Sequence, residues 1–273
     1  MKRKYRNSSA GQGIISGFPA LIGLLCFFIM ALGIHFLPSD SMTALIAVRL
    51  GLSIIIMVLI FPLFKLRYFA KPYKGWTLIF KMGKAMIGMT AFFCLLGILC
   101  IFAFKVNPQQ AFDDFKPYIA LGISVGICEE LVFRQGIFRS FEKQFQSLKK
   151  GSLVAALLAS LLFGLIHILF DISLTPMGLL TMTAKVLETG VTSMIFCAML
   201  YKSENLWLPI FMHMILDTSA FFIYVVNPEA TLGTYVFTEF STEALMCLVA
   251  YVIEIVICLP ATLYAIKILK DEI

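Results

Sequence analysis

Residues 84–104 read KAMIGMTAFFCLLGILCIFAF, and after Lys84 the next twenty positions carry no charge. A helix needs about 20 apolar residues to cross the hydrocarbon core of a bilayer. A barrel strand would instead alternate in polarity over about 10 residues, and this run is apolar on every side. The stretch therefore predicts a lipid-spanning helix. Working outward, comparable runs cover 14–37, 43–64, 117–138, 152–171, 177–200, 206–226 and 243–266. Pro38, Pro108, Pro176 and Pro228 fall in the connections, where helices stop. The expected fold is all-α, a polytopic membrane protein of about eight transmembrane helices forming a single domain over 1–273.

Composition agrees. The chain of 273 residues is 60% hydrophobic and only 14% charged, against about 25% charged in a soluble domain. Such a surface needs lipid to cover it. A net charge of +6 alone would fit a nucleic-acid partner, but Lys and Arg cluster in short segments between the apolar runs. With the N-terminus placed in the cytoplasm, seventeen of them fall in inner segments. Only Lys105 and Lys116 fall in outer ones. That asymmetry obeys the positive-inside rule and predicts both termini in the cytoplasm, with no nucleic-acid partner. The run at 14–37 is too long for a cleaved signal segment and is read as a retained span. The seven cysteines lie in apolar runs without a C-x-x-C pair and are read as small hydrophobes. Segment 139–150 is amphipathic and is expected to extend the fourth helix along the inner membrane surface.

An ionisable group inside a bilayer costs on the order of 2.5–3.5 kcal/mol even on the lenient insertion scale, so such groups single themselves out. Three clusters emerge. In Glu129-Glu130-Leu131-Val132-Phe133-Arg134, Glu130 and Arg134 share a helical face. Glu129 lies about 100° away at 3.6 residues per turn, free to face a different cavity. In Phe163-Gly164-Leu165-Ile166-His167 the aromatic ring precedes the imidazole by one turn. In His213-Met214-Ile215-Leu216-Asp217 the His and Asp share a face. Taken singly, these are a structural ion pair, a packing histidine and an interhelical polar contact. Arg49, Lys185, Glu188 and Glu254 are further buried charges for which the sequence names no partners.

In order on consecutive apolar segments, E-E-x-x-x-R, F-x-x-x-H and H-x-x-x-D resemble the CPBP family, the CAAX proteases and bacteriocin-processing enzymes also called the Abi family. The resemblance covers about 117–226. It implies an intramembrane endopeptidase acting on a membrane-associated or prenylated protein or a small peptide, in CAAX-type, bacteriocin-processing or self-immunity roles. It also implies the residue roles. Glu129 is the general base for a water that His167 helps to hold, while His213 and Asp217 form or orient an oxyanion site. Glu130 and Arg134 are the supporting pair, and Glu130 can share the base role. Asp217 stands where eukaryotic CAAX endoproteases usually have Asn.

An older reading of the family makes these side chains zinc ligands. With no H-E-x-x-H in the chain, metal-free catalysis is favoured, and zinc stays open as the alternative. The compact chain without organelle signals points to a bacterial cell membrane. A non-catalytic scaffold or immunity factor, and a proton-coupled transporter, are the competing classes. No internal repeat of the kind transporters carry is visible. Helix arithmetic leaves one conflict, because Glu129 and His213 come out about 10–15 Å from the inner surface and His167 more than 20 Å. It disappears if the fifth helix starts in the cytoplasm.

Overall fold

The computed structural model describes residues 19–35, 41–64, 75–226 and 234–270, and within them every regular element is a helix. In chain order these are α1 (Pro19–His35), α2 (Met42–Phe64), α3 (Leu78–Lys81), α4 (Lys84–Ala103) and α5 (Pro108–Glu129). A π-helical segment (Glu130–Phe138) follows, then α6 (Arg139–Gln144), α7 (Gly151–Ile166), α8 (Pro176–Ser203), α9 (Trp207–Val226) and α10 (Thr242–Leu269). Four of them, α4, α8, α9 and α10, are long and apolar enough to cross a membrane. Shorter apolar stretches lie in α1, α2 and α7. The chain is an all-α polytopic membrane protein. The ends of the predicted first span, Pro38, Pro228 and the basic segments 1–13 and 65–74 lie outside the described residues.

Caps set several boundaries. Asn107 accepts hydrogen bonds from the backbone N–H groups of Gln109 and Gln110, and Pro108 occupies the first turn of α5. Thr175 caps α8 through Gly178 N, with Pro176 in the first turn, and Ser241 caps α10 through Ala244 N. Proline suits a first turn because its missing N–H has no partner there. The fourth helix therefore starts at Pro108, earlier than the predicted 117. Its extra turns are polar, with Lys116 bridging to Asp113 at 2.6 Å. The fifth helix ends at Ile166, short of the predicted 171, and unwinds through i→i+3 bonds such as His167 N to Gly164 O.

The segment predicted to lie along the membrane surface does otherwise. Arg139, Ser140, Phe141 and Glu142 are buried, because α6 packs against α1 and α7, and exposure is continuous only from Gln146 to Lys150. Arg139 forms an ion pair with Glu142 and donates to Leu200 O, so the amphipathic pattern serves an interior contact.

The most extensive helix pairs are α8 with α10, α5 with α9, α7 with α8, and α4 with α9. Glycine permits the close approaches. A Cβ on Gly122 would sit 2.3 Å from Thr218 Oγ1, and one on Gly126 would sit 2.6 Å from Met214 Cγ. These contacts hold α5 against α9 at Met214 and Thr218, the residues that follow His213 and Asp217. Small residues are how helices associate in lipid, where the surrounding chains are as apolar as leucine. The outward faces stay apolar, with Leu95, Ile98, Leu99 and Phe102 exposed on α4 and Val249, Val252 and Val256 on α10. All seven cysteines are free, four of them buried.

The rod formed by α5, the π segment and α6 also removes the depth conflict. Glu129 lies fifteen residues from its end at Gln144, and His167 lies sixteen residues from the start of α7 at Gly151. The two therefore stand a similar number of residues from the α6–α7 turn. The turn before α9 is itself interior, with Asn205 and Leu206 fully buried, so α9 starts well inside the bundle.

Candidate active site

The α5 helix gives way to π geometry between Glu129 and Glu130. Single π turns inside helices are rare and concentrate at functional sites. Both carboxylates and the Arg134 guanidinium are buried here, Glu130 and Arg134 completely. Arg134 Nε lies 3.1 Å from Glu130 Oε2, but the approach is off-line, so the contact is ionic and lacks a hydrogen bond of good geometry. The guanidinium is sandwiched between rings, 4.5 Å from the centroid of Phe163 and 5.2 Å from that of Phe196. A cation placed over aromatic faces out of water gains the quadrupole attraction in full.

On α9, His213 receives this pair. Its Nδ1 lies 2.7 Å from Glu130 Oε1, while its Nε2 lies 3.4 Å from Asp217 Oδ2 and 3.7 Å from Glu129 Oε2. The two adjacent glutamates thus do not face separate cavities. They straddle one imidazole, Glu130 at one nitrogen and Glu129 at the other. Phe196 stacks on the ring at 5.3 Å and 26°, and Phe163 meets it edge-on at 5.9 Å. Glu130 is already tied to Arg134 as a carboxylate, so Nδ1–H is the donor in that bond. The contacts at Nε2 are long for direct hydrogen bonds. Side-chain exposure rises from 0% at Glu130 to 9% at Glu129 and 24% at Asp217, so the cluster opens on the Nε2 side.

His167 stands one ring away. Its Nδ1 donates to Phe163 O at 2.7 Å, which leaves Nε2 as its free nitrogen. The Phe163 ring lies between the two imidazoles, 5.0 Å from that of His167. The structure therefore joins Glu129, Glu130, Arg134, His213 and Asp217 in one contact cluster and connects His167 to it through Phe163. Phe196 and Tyr235, whose ring lies 5.7 Å from that of His167, escaped the sequence analysis. Phe196 is one of 26 phenylalanines, and nothing local marks it out. Lys185 pairs with Glu188 at 2.9 Å on its own helix, under the rings of Tyr235 and Tyr251.

For a metal, the donors are poorly disposed. Glu130 is committed to Arg134 and to His213 Nδ1. Among the described residues no three His, Cys, Asp or Glu side chains are arranged to hold a metal ion.

Residues 112–219 match the family model described as Type II CAAX prenyl endopeptidase Rce1-like. The match bears out the resemblance to the CPBP family over that stretch, which contains all six candidate residues. At family level it supports a CAAX-type intramembrane endopeptidase. No curated protein and no solved structure shows a significant match.

Proposed function

We propose that the chain hydrolyses a peptide bond in a membrane-associated or prenylated protein or peptide, using a water activated by Glu129 without a metal. The observation that carries this reading is the one-sided anchoring of His213. Glu130 and Arg134 hold its Nδ1 in a sealed interior, while Nε2, Glu129 and Asp217 line the open side.

In the proposed reaction Glu129 takes a proton from water as the water oxygen bonds to the substrate carbonyl carbon. Its exposure is small but not zero, so a substrate group can reach it. His167 Nε2 accepts a hydrogen bond from the same water. The carbonyl oxygen becomes an oxyanion beside Nε2–H of His213, which as an imidazolium flanked by Glu130, Glu129 and Asp217 donates from both nitrogens, and Asp217 orients that ring. Preorganised donors of this kind often contribute the largest single share of catalysis. When the C–N bond breaks, Glu129 returns its proton to the leaving amine. The positive-inside asymmetry of the sequence supports a site reached from the cytoplasmic side.

The test uses purified protein in lipid nanodiscs and quenched peptides, with farnesylated C-terminal peptides among them. Wild type should cleave, and Glu129→Gln should be folded but inactive. Cleavage abolished by a strong chelator and restored by zinc would refute the metal-free assignment. A fully folded Glu129→Gln variant that cleaves at the wild-type rate would refute the role of Glu129.

A further inference from the structure

The stretch between α9 and α10 contains a short non-helical strap, residues 234–241, that turns back onto the start of α8. Two long-range hydrogen bonds seat it. Phe237 N donates to Thr181 Oγ1 at 3.2 Å, and Thr175 Oγ1 donates to Thr238 O at 2.8 Å. From this strap Tyr235 projects inward and stays half-buried. Its ring has two neighbours that matter. The Lys185 ammonium lies 4.6 Å from the ring centroid, and the His167 ring meets it at 5.7 Å and 66°.

His167 needs an external support. It follows the last residue of α7, and its own N–H turns to the i−3 carbonyl of Gly164, at 3.3 Å, in place of the i−4 bond of an α-helix. Helix ends of this kind fray. The bond from Nδ1 to Phe163 O fixes the tautomer but leaves the ring free to pivot about it. Phe163 bounds one side of the imidazole. A second aromatic ring is in contact with it, held in turn by the partly buried Lys185 ammonium.

We propose that Tyr235 is a positioning residue for His167, its ring wedged between Lys185 and the imidazole so that Nε2 is held toward the reacting water. This rests on the peptidase reading for its consequence in catalysis but not for its consequence in ring geometry. The ring does the positioning and the hydroxyl does not. Lys185, already paired with Glu188, serves as the fixed back wall. A cation over a tyrosine face is attracted by the ring quadrupole, which keeps the aromatic plane from rotating.

The experiment compares Tyr235→Leu, which keeps apolar bulk but removes the ring, with Tyr235→Phe, which keeps the ring. Thr181→Val, which removes the acceptor that seats the strap, serves as a second loosening variant should Tyr235→Leu fail to fold. The chain has three histidines, so selective 15N-histidine labelling gives a resolvable imidazole spectrum. In wild type and Tyr235→Phe, His167 should show a single Nδ1–H tautomer. In Tyr235→Leu the tautomer should persist, held by Phe163 O, while the Nε2 resonance moves and broadens as the ring pivots, and Thr181→Val should shift the same way by less.

Cleavage kinetics should follow, with kcat in Tyr235→Leu down roughly 10–100-fold, as expected for a reacting group displaced by about 1 Å. KM should stay near wild type, and Tyr235→Phe should restore kcat. A wild-type Nε2 shift and linewidth in Tyr235→Leu overturns the proposal, and so does a Tyr235→Phe variant as impaired as Tyr235→Leu. If the wild type cleaves nothing, the peptidase reading fails while the imidazole spectra still decide the positioning role.

Discussion

Replacing Arg134 by Met should be among the most damaging changes in the chain. The guanidinium is fully buried, 3.1 Å from a fully buried Glu130 and stacked between two phenylalanines. Removing one partner of a buried ion pair strands the other charge, at a cost of about 3–5 kcal/mol. Each lost cation–π contact adds roughly 0.5–2 kcal/mol, part of which the methionine thioether recovers against the same rings. The expected loss is thus roughly 4–6 kcal/mol, a large share of the ~5–15 kcal/mol that stabilises a typical protein. Arg134→Lys keeps the charge but not the flat stacking surface and should lose about 1–2 kcal/mol. The diagnostic comparison is the double variant Glu130→Gln/Arg134→Met, which leaves no stranded carboxylate. It should recover at least about 2 kcal/mol relative to Arg134→Met alone. Equilibrium unfolding in mixed detergent and SDS micelles, followed by far-UV ellipticity, supplies these differences. A loss below about 1 kcal/mol for Arg134→Met, or a double variant no more stable than the single one, would refute the argument that this pair is a buried electrostatic unit.

Three other outcomes follow from the same geometry. Glu129→Gln keeps the size and most of the hydrogen bonding of the side chain, so peptide cleavage should fall by roughly 10²–10⁴ while the unfolding midpoint barely changes. Gly126→Val places methyl groups where the Met214 backbone already lies within 3.0 Å of a Cβ. It should therefore cost about 1–3 kcal/mol and also lower cleavage, because α5 and α9 must part and Glu129 and Glu130 retreat from His213. Incubation with a strong chelator followed by desalting should leave cleavage unchanged, since among the described residues no three His, Cys, Asp or Glu side chains are arranged to hold a metal ion. Inactivation reversed by zinc would count against this.

Much of the architecture is written locally. A run such as 85–104 has no stable place but lipid, because each exposed backbone polar group there would cost several kcal/mol (roughly) unless a helix satisfied it. The pairs Glu130–Arg134 and His213–Asp217 follow from helical spacing alone and are present in the fold. Pro108 and Pro176 are legible as boundaries but not as what they are: they occupy first helical turns behind the caps Asn107 and Thr175 and not the connections.

What the tertiary structure alone decides is which helix faces which, and at what height. Hydropathy carries no such information, because one apolar face is as content against lipid as against another helix. Hence Glu129 and Glu130, adjacent in sequence, prove to share the two edges of one imidazole on a helix 83 residues further along. Phe196 turns from one phenylalanine among many into the ring on which both His213 and Arg134 rest. Tyr235 reaches His167 only because the strap folds back onto Thr175 and Thr181. The sequence by itself determined a helical membrane protein and the residues too polar to sit in lipid. Their convergence on a single site came from close packing at Gly122 and Gly126 and from the length of the α5–α6 rod, both of which are properties of the assembled bundle.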